Sequence, residues 1–169
     1  MTPLPGALGD TELRGWRLDR AQHAASWNSG EGAFLLGGRW NSVGVRAVYA
    51  ALDPATAIVE VAVHKGFAVL DTQPHTLTWF RLESSADIHV VRPVDVPNPR
   101  WLHPGIPSAG QQRFGDALLA RHDIIIMPSM VSSHSWNVMF DPLRSPASYS
   151  LIEQERFALD PRLNPPSVF

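Results

Sequence analysis

Asp53 and Pro54 constrain this chain's fold more than any other pair of residues. Asp is a preferred helix N-cap, and Pro at the first helical position has a φ already suited to the helix and no N–H to leave unpaired. The residues that follow, ATAIVEVAVHKG, place Ala57, Ile58, Val61 and Ala62 at helical spacing, and Gly66 is a natural stop. A helix therefore begins at 54. The apolar run RAVYAA (46–51) just before it must be a separate strand, joined to the helix by a very short turn. Fifteen Pro and twelve Gly keep the remaining elements short.

The same signals give the rest of the chain. LRGWRLD (13–19) reads as a strand, HTLTWFRLE (75–83) and ADIHVVRPVD (86–95) as two more, and IIIMPS (124–129) as a strand buried on both faces. WNVMFDP (136–142) and SYSLIEQERFAL (148–159) complete the strand set. SAGQQRFGDALLARHD (108–123) is a second helix, with Phe114, Leu118 and Leu119 on its apolar side. Residues 21–41, small and glycine-rich, read as a long ordered loop beside a site, NPRWLHPGIP as a Pro-rich loop, and residues 1–12 as a loose lead-in. No repeat or domain boundary is visible. The expected architecture is α+β: one compact domain with a strand-rich core and a few helices.

Composition excludes several functions. With no cysteine there is no disulfide, thiolate nucleophile or Cys-based metal site. A net charge of −2 argues against nucleic acid as the partner. No apolar run approaches the length of a membrane span, and the N-terminal residues lack the pattern of a signal peptide, so the chain is expected in the cytoplasm. Scattered His residues form no HExxH, so no metal is expected. A P-loop and GxSxG are both missing, and SGEGAFLLGG has Leu35 where a dinucleotide fingerprint needs its third Gly.

Three places remain where residue types suggest chemistry. GGRWN (37–41) sets Arg39 and Trp40 in a glycine-laced loop: Trp40 is a core plug with a solvated Arg39 beside it, or the loop is a grip for a planar anion. Glu60 interrupts the apolar helix run AIVEVAVH; it is either a solvated partner of His64 or a carboxylate held for a purpose. Ser129 follows a buried strand, where site residues often sit, but five Ser or Asn residues crowd 129–137 and the sequence selects none of them.

Together these blocks resemble the RES-domain family, the toxin half of bacterial toxin–antitoxin pairs. GGRWNSVGVRAVYAALDPATAIVEVAVH resembles its core. MPSMVSSHSWNVMFDP resembles its second block, in which Pro-Ser is followed eight residues on by Asn; the strand end, Asp141-Pro142, departs from the family's Asn-Pro. LRGWRLD resembles the opening strand, with Arg17 in the Arg position. The resemblance spans residues 13–160.

It implies an ADP-ribosyltransferase-like fold, breakdown of NAD+ by hydrolysis or phosphorolysis with no true cofactor, and a helix-turn-helix antitoxin that blocks the site. The Arg, Glu and Ser of the family name map to Arg39, Glu60 and Ser129. For that substrate, Glu60 would stabilise an oxocarbenium-like transition state, and Arg39, then Arg17, would hold the pyrophosphate. Tyr49 would wall the nicotinamide, Ser129 would orient the ribose or the carboxylate, and Asn137 would tie the loop together. Two rivals share the fold: transfer of ADP-ribose to a protein, and a non-catalytic module that binds NAD+ or a partner.

Overall fold

A computed structural model describes residues 12–101, 105, 107–132 and 134–165. Residues 1–11, and with them nearly all of the expected lead-in, lie outside the described residues, as does part of the Pro-rich loop. Seven strands form one sheet: β1 (Arg14–Arg20), β2 (Val48–Ala51), β3 (His75–Leu82), β4 (Ile88–Val90), β5 (Ile124–Pro128), β6 (Trp136–Phe140) and β7 (Tyr149–Phe157). The order is β4-β5-β6-β2-β1-β3-β7, antiparallel throughout except for β4 beside β5. Helices α1 (Glu31–Leu36), α2 (Pro54–Lys65), α3 (Phe67–Thr72) and α4 (Ala109–Leu119) pack around it.

Both long helices start where side-chain capping requires. Asp53 accepts a hydrogen bond from the Thr56 N–H at 2.8 Å, and Ser108 accepts one from the Gln111 N–H at 3.1 Å. The expected long loop at 21–41 instead contains a 3-10 turn (Ala21–Ser26) and α1, and α3 was not expected at all. Each spans six residues, too few to show a helical period; neighbours hold them, as where Asn41 Nδ2 donates to the Ala33 carbonyl. The strand expected over 86–95 shrinks to Ile88–Val90, because Pro93 cannot donate to a ladder and opens a 3-10 turn.

The core explains how the sheet is shaped. On one face α4 covers Ile125, Met127 and Met139 together with Trp40, while α2 and α3 cover Leu18 and Leu77. On the other face Phe80 of β3 meets Phe140 of β6 with ring centroids 5.7 Å apart. Three strand spacings, about 14 Å in a flat sheet, separate those strands. The sheet therefore folds across the joint between β2 and β1. There the backbone pairing among the described residues is a single register pair, Trp16 opposite Ala51. Folding toward the Phe80 face splays the opposite face, leaving a cleft there between α2 and the loop that precedes β2.

Candidate active site

The cleft has a volume of about 570 Å³ and is walled by β1, β2, α2 and the GGRWN loop. Glu60 projects into it from the middle of α2. Its Oε1 accepts the Ser129 hydroxyl at 2.9 Å and the Asn137 Nδ2 at 2.5 Å. Oε2 has no donor among the described residues. The expected alternative, a solvated Glu60 paired with His64, is therefore replaced: the carboxylate is tied to the ends of β5 and β6, and His64 is exposed on the cleft rim.

Ser129 is 0 % exposed, and its hydroxyl also accepts the Val131 N–H at 3.2 Å. The structure thus selects one serine from the crowded segment and turns it toward the carboxylate. Asn137, expected to tie the loop, donates to the same Glu60 oxygen, and its own Oδ1 is buried without a partner among the described residues.

Arg39 faces the cleft from the opposite wall. Among the described residues its side chain makes one long hydrogen bond, Nη1 to the Trp101 carbonyl at 3.5 Å. Partial burial pulls its pKa down, and the negative charge of Glu60 acts against that shift, so the two groups sense each other's field across the cleft. Trp40, beside it, is 4 % exposed and packs on Trp101 and Phe114, so the core-plug expectation for Trp40 and an accessible Arg39 hold together.

The loop's backbone is locked by contacts the sequence did not single out. Asn41, 0 % exposed, donates to the carbonyls of Ala33, Ser42 and Val45 and accepts the Tyr49 hydroxyl at 2.7 Å. The Trp40 N–H donates to that hydroxyl in turn. Gln112 and Asp116 of α4 hold the Gly38 carbonyl and Ser42. Gly38 is required here, since a Cβ would lie 2.5 Å from Asn41 Oδ1 and 2.7 Å from Tyr49 Oη. Burial, chiefly, drives the Tyr49 phenol pKa well above its usual range, so it stays a neutral hydrogen-bonding group; its ring still lines the cleft. A sequence signal for Asn41 existed in its place at the end of GRWN, an Asn in a glycine-laced turn.

Arg17 serves the joint itself. Its Nε and Nη2 bind both oxygens of Asp19 at 2.6 and 2.9 Å, and its Nη1 donates to the Tyr49 carbonyl at 2.5 Å. A guanidinium thus bridges β1 to β2 where their ladder stops, while remaining on the cleft wall. Trp16, Asp19, His64, Lys65 and Met130 also line the cleft and were not anticipated. Among the described residues no three His, Asp or Glu side chains gather as a metal site, and no helix is long and apolar enough to cross a membrane.

A family model, the RES domain, matches residues 14–161. A protein of Photorhabdus laumondii named "Toxin Res" is 31 % identical over 152 residues, covering 88 % of this chain and 95 % of that one. A Sphingobium protein named "Prs ADP-ribosylating toxin" is 30 % identical over 157 residues, covering 88 % and 94 %. Among solved structures, the Mycobacterium tuberculosis MbcT–MbcA toxin–antitoxin complex contains a chain of the same fold, with a TM-score of 0.70 at 20 % identity over 87 % of this chain and 85 % of that one. The chain belongs to the RES-domain family.

Proposed function

We propose that this RES-domain protein is a toxin that breaks the nicotinamide–ribose bond of NAD+. The observation that carries the reading is the Glu60 carboxylate, fixed through one oxygen by Ser129 and Asn137 and facing Arg39 across a cleft of dinucleotide scale. The C1′–N bond breaks with its electron pair moving to the pyridinium nitrogen, so nicotinamide leaves neutral and no acid need protonate it. The ribosyl cation left behind is stabilised by Glu60, whose second oxygen has no donor among the described residues. Water, losing a proton, or phosphate then forms the new bond at C1′.

Ser129 is a positioning residue in this scheme, buried and acting through Glu60. Arg39 supplies the adjustable charge for the pyrophosphate. Arg17 adds a second guanidinium with its geometry already set by Asp19 and the Tyr49 carbonyl. Tyr49 walls the nicotinamide with its ring while its hydroxyl holds the loop. Asn137 restrains the carboxylate. No cofactor enters, and the reaction belongs in the cytoplasm, where NAD+ is present.

The names of the relatives support the toxin assignment, and the structural neighbour supports an antitoxin partner, which we take to be of the helix-turn-helix class. The "ADP-ribosylating" name of the Sphingobium protein favours a second reading, in which a protein side chain replaces water or phosphate as acceptor. Incubating the partner-free protein with NAD+, with and without phosphate, separates the cases. Free nicotinamide is expected, and phosphate dependence marks phosphorolysis. ADP-ribose label on protein marks the second reading, and no nicotinamide release under any condition overturns both.

A further inference from the structure

One row of side chains crosses the sheet on the cleft face. The register pairs Asn137–Ala51, Ala51–Trp16, Trp16–Trp79 and Trp79–Glu153 run from β6 through β2, β1 and β3 to β7. Residues directly opposite one another share a face. Glu60 is bonded to the first member of the row. Ala51, in the middle, is small and buried, and beyond it the half-buried Trp16 forms part of the cleft wall. Two strand spacings, about 10 Å, separate the backbones of Asn137 and Trp16. That distance lies within the span of one dinucleotide, so a ligand held at Glu60 can bring one of its rings against Trp16.

The orientation of the Trp16 ring is set by its neighbours. It stacks on Trp79 with centroids 5.9 Å apart and planes 27° from parallel. Trp79 carries the Arg14 guanidinium 4.8 Å from its centroid and donates its indole N–H to Glu153 at 3.2 Å. Ile58 and Val61 of α2 join the same cluster as Trp16. An aromatic surface held this way loses little freedom when a ligand ring meets it.

We propose that Trp16, backed by Trp79, is the stacking platform for a heteroaromatic base of the dinucleotide. This rests on the NAD+ reading above and extends it from the bond that breaks to a ring that is recognised. Stacking on an indole accepts any flat base, so the shared chemistry is a planar nitrogen heterocycle, supplied by the adenine or the nicotinamide half.

The test uses the Glu60→Gln chain, so that the glycosidic bond stays intact, and titrates it calorimetrically with ADP-ribose and with nicotinamide mononucleotide. Adding Trp16→Leu, which keeps apolar bulk against α2 but removes the π face, is expected to weaken one of the two probes by roughly 5- to 100-fold. Adding Trp16→Phe instead recovers most of that loss. Weakened ADP-ribose places adenine on the platform, and weakened mononucleotide places nicotinamide there. Unchanged affinity for both probes in a folded Trp16→Leu chain overturns the proposal while the NAD+ reading stands. Failure of the Glu60→Gln chain to bind either probe overturns the NAD+ reading, and the platform with it. Should Trp16→Leu fail to fold by circular dichroism, Trp79→Leu removes the backing alone. It is expected to give a loss of a few-fold on one of the two probes, and no loss on either overturns the platform.

Discussion

The two walls of the cleft are built on opposite plans. On the acidic wall the functional group itself is immobilised: Oε1 of Glu60 takes hydrogen bonds from two strand ends, one donor fully buried. On the basic wall the scaffold is immobilised and the functional group is left loose. Asn41, Tyr49, Gln112 and Asp116 lock the loop's backbone, yet among the described residues the Arg39 guanidinium has only its long contact to the Trp101 carbonyl. The difference follows from the task proposed for each. Charge developing at one carbon is best met by a fixed group, because reorganisation during the reaction raises the barrier. A flexible pyrophosphate is best met by a cation that adjusts to it. Arg17 stands between the plans, a cation fixed as firmly as the acid.

Breaking the acidic wall should have the largest consequence. Glu60→Gln keeps the size and both donors' neighbour but removes the charge. Nicotinamide release is expected to fall about 1,000-fold or more, with the thermal unfolding midpoint little changed. A variant retaining a tenth of the activity would show that the carboxylate's charge is not what the cleft uses.

Next in size is an attack on the basic wall's scaffold. A Cβ at Gly115 of α4 would lie 1.8 Å from the Trp40 carbonyl oxygen, backbone against backbone, with no flexible side chain to yield. Gly115→Ala is expected to destabilise the protein by about 3 kcal/mol, seen as a fall of roughly 6–12 °C in a calorimetric melt. A melt unchanged within 2 °C would mean that the loop is not pressed on α4 as described.

Ser129→Ala sharpens the comparison by loosening the acid without removing it. Asn137 still holds Oε1, so turnover is expected to drop about 10- to 100-fold, mainly in kcat. Adding Asn137→Ala should cost less than the product of the two single effects, since both act through the same oxygen. Strict multiplicativity would separate their roles.

Arg39→Lys should show the smallest effect and the opposite kinetic signature. The charge survives and the planar fork does not, so KM for NAD+ is expected to rise about tenfold while kcat stays within a few-fold. A fall in kcat with unchanged KM would place Arg39 at the reacting bond and erase the contrast between the walls.

Residues whose partners are close in the chain were legible without the fold. Asp53-Pro54 starts its helix because a side chain reaches a backbone N–H three residues away, and IIIMP is buried on both faces because its apolar run has no polar alternation. Arg39, Glu60 and the polar segment after Pro128 stood out by residue type and place, and the family resemblance added Tyr49, Arg17 and Asn137 and pointed to Ser129. What each one touches could not, because those partners lie between 32 and 77 residues away for the bonds Arg17–Tyr49, Ser129–Glu60 and Asn137–Glu60. α1 and α3 escaped notice because six residues carry no period and their stability is borrowed from neighbours.

The amino-acid order alone therefore determined where the main elements begin and which faces are apolar, and the family resemblance it carries pointed to the candidate side chains. Only the tertiary structure decided that the sheet folds at Trp16–Ala51, that Ser129 and Asn137 meet Glu60, and that Trp16 lines the cleft. The reason is physical. Caps and periodicity are short-range and act within a few residues, whereas sheet order, curvature and the meeting of distant side chains come from burying one apolar surface against another across the whole chain.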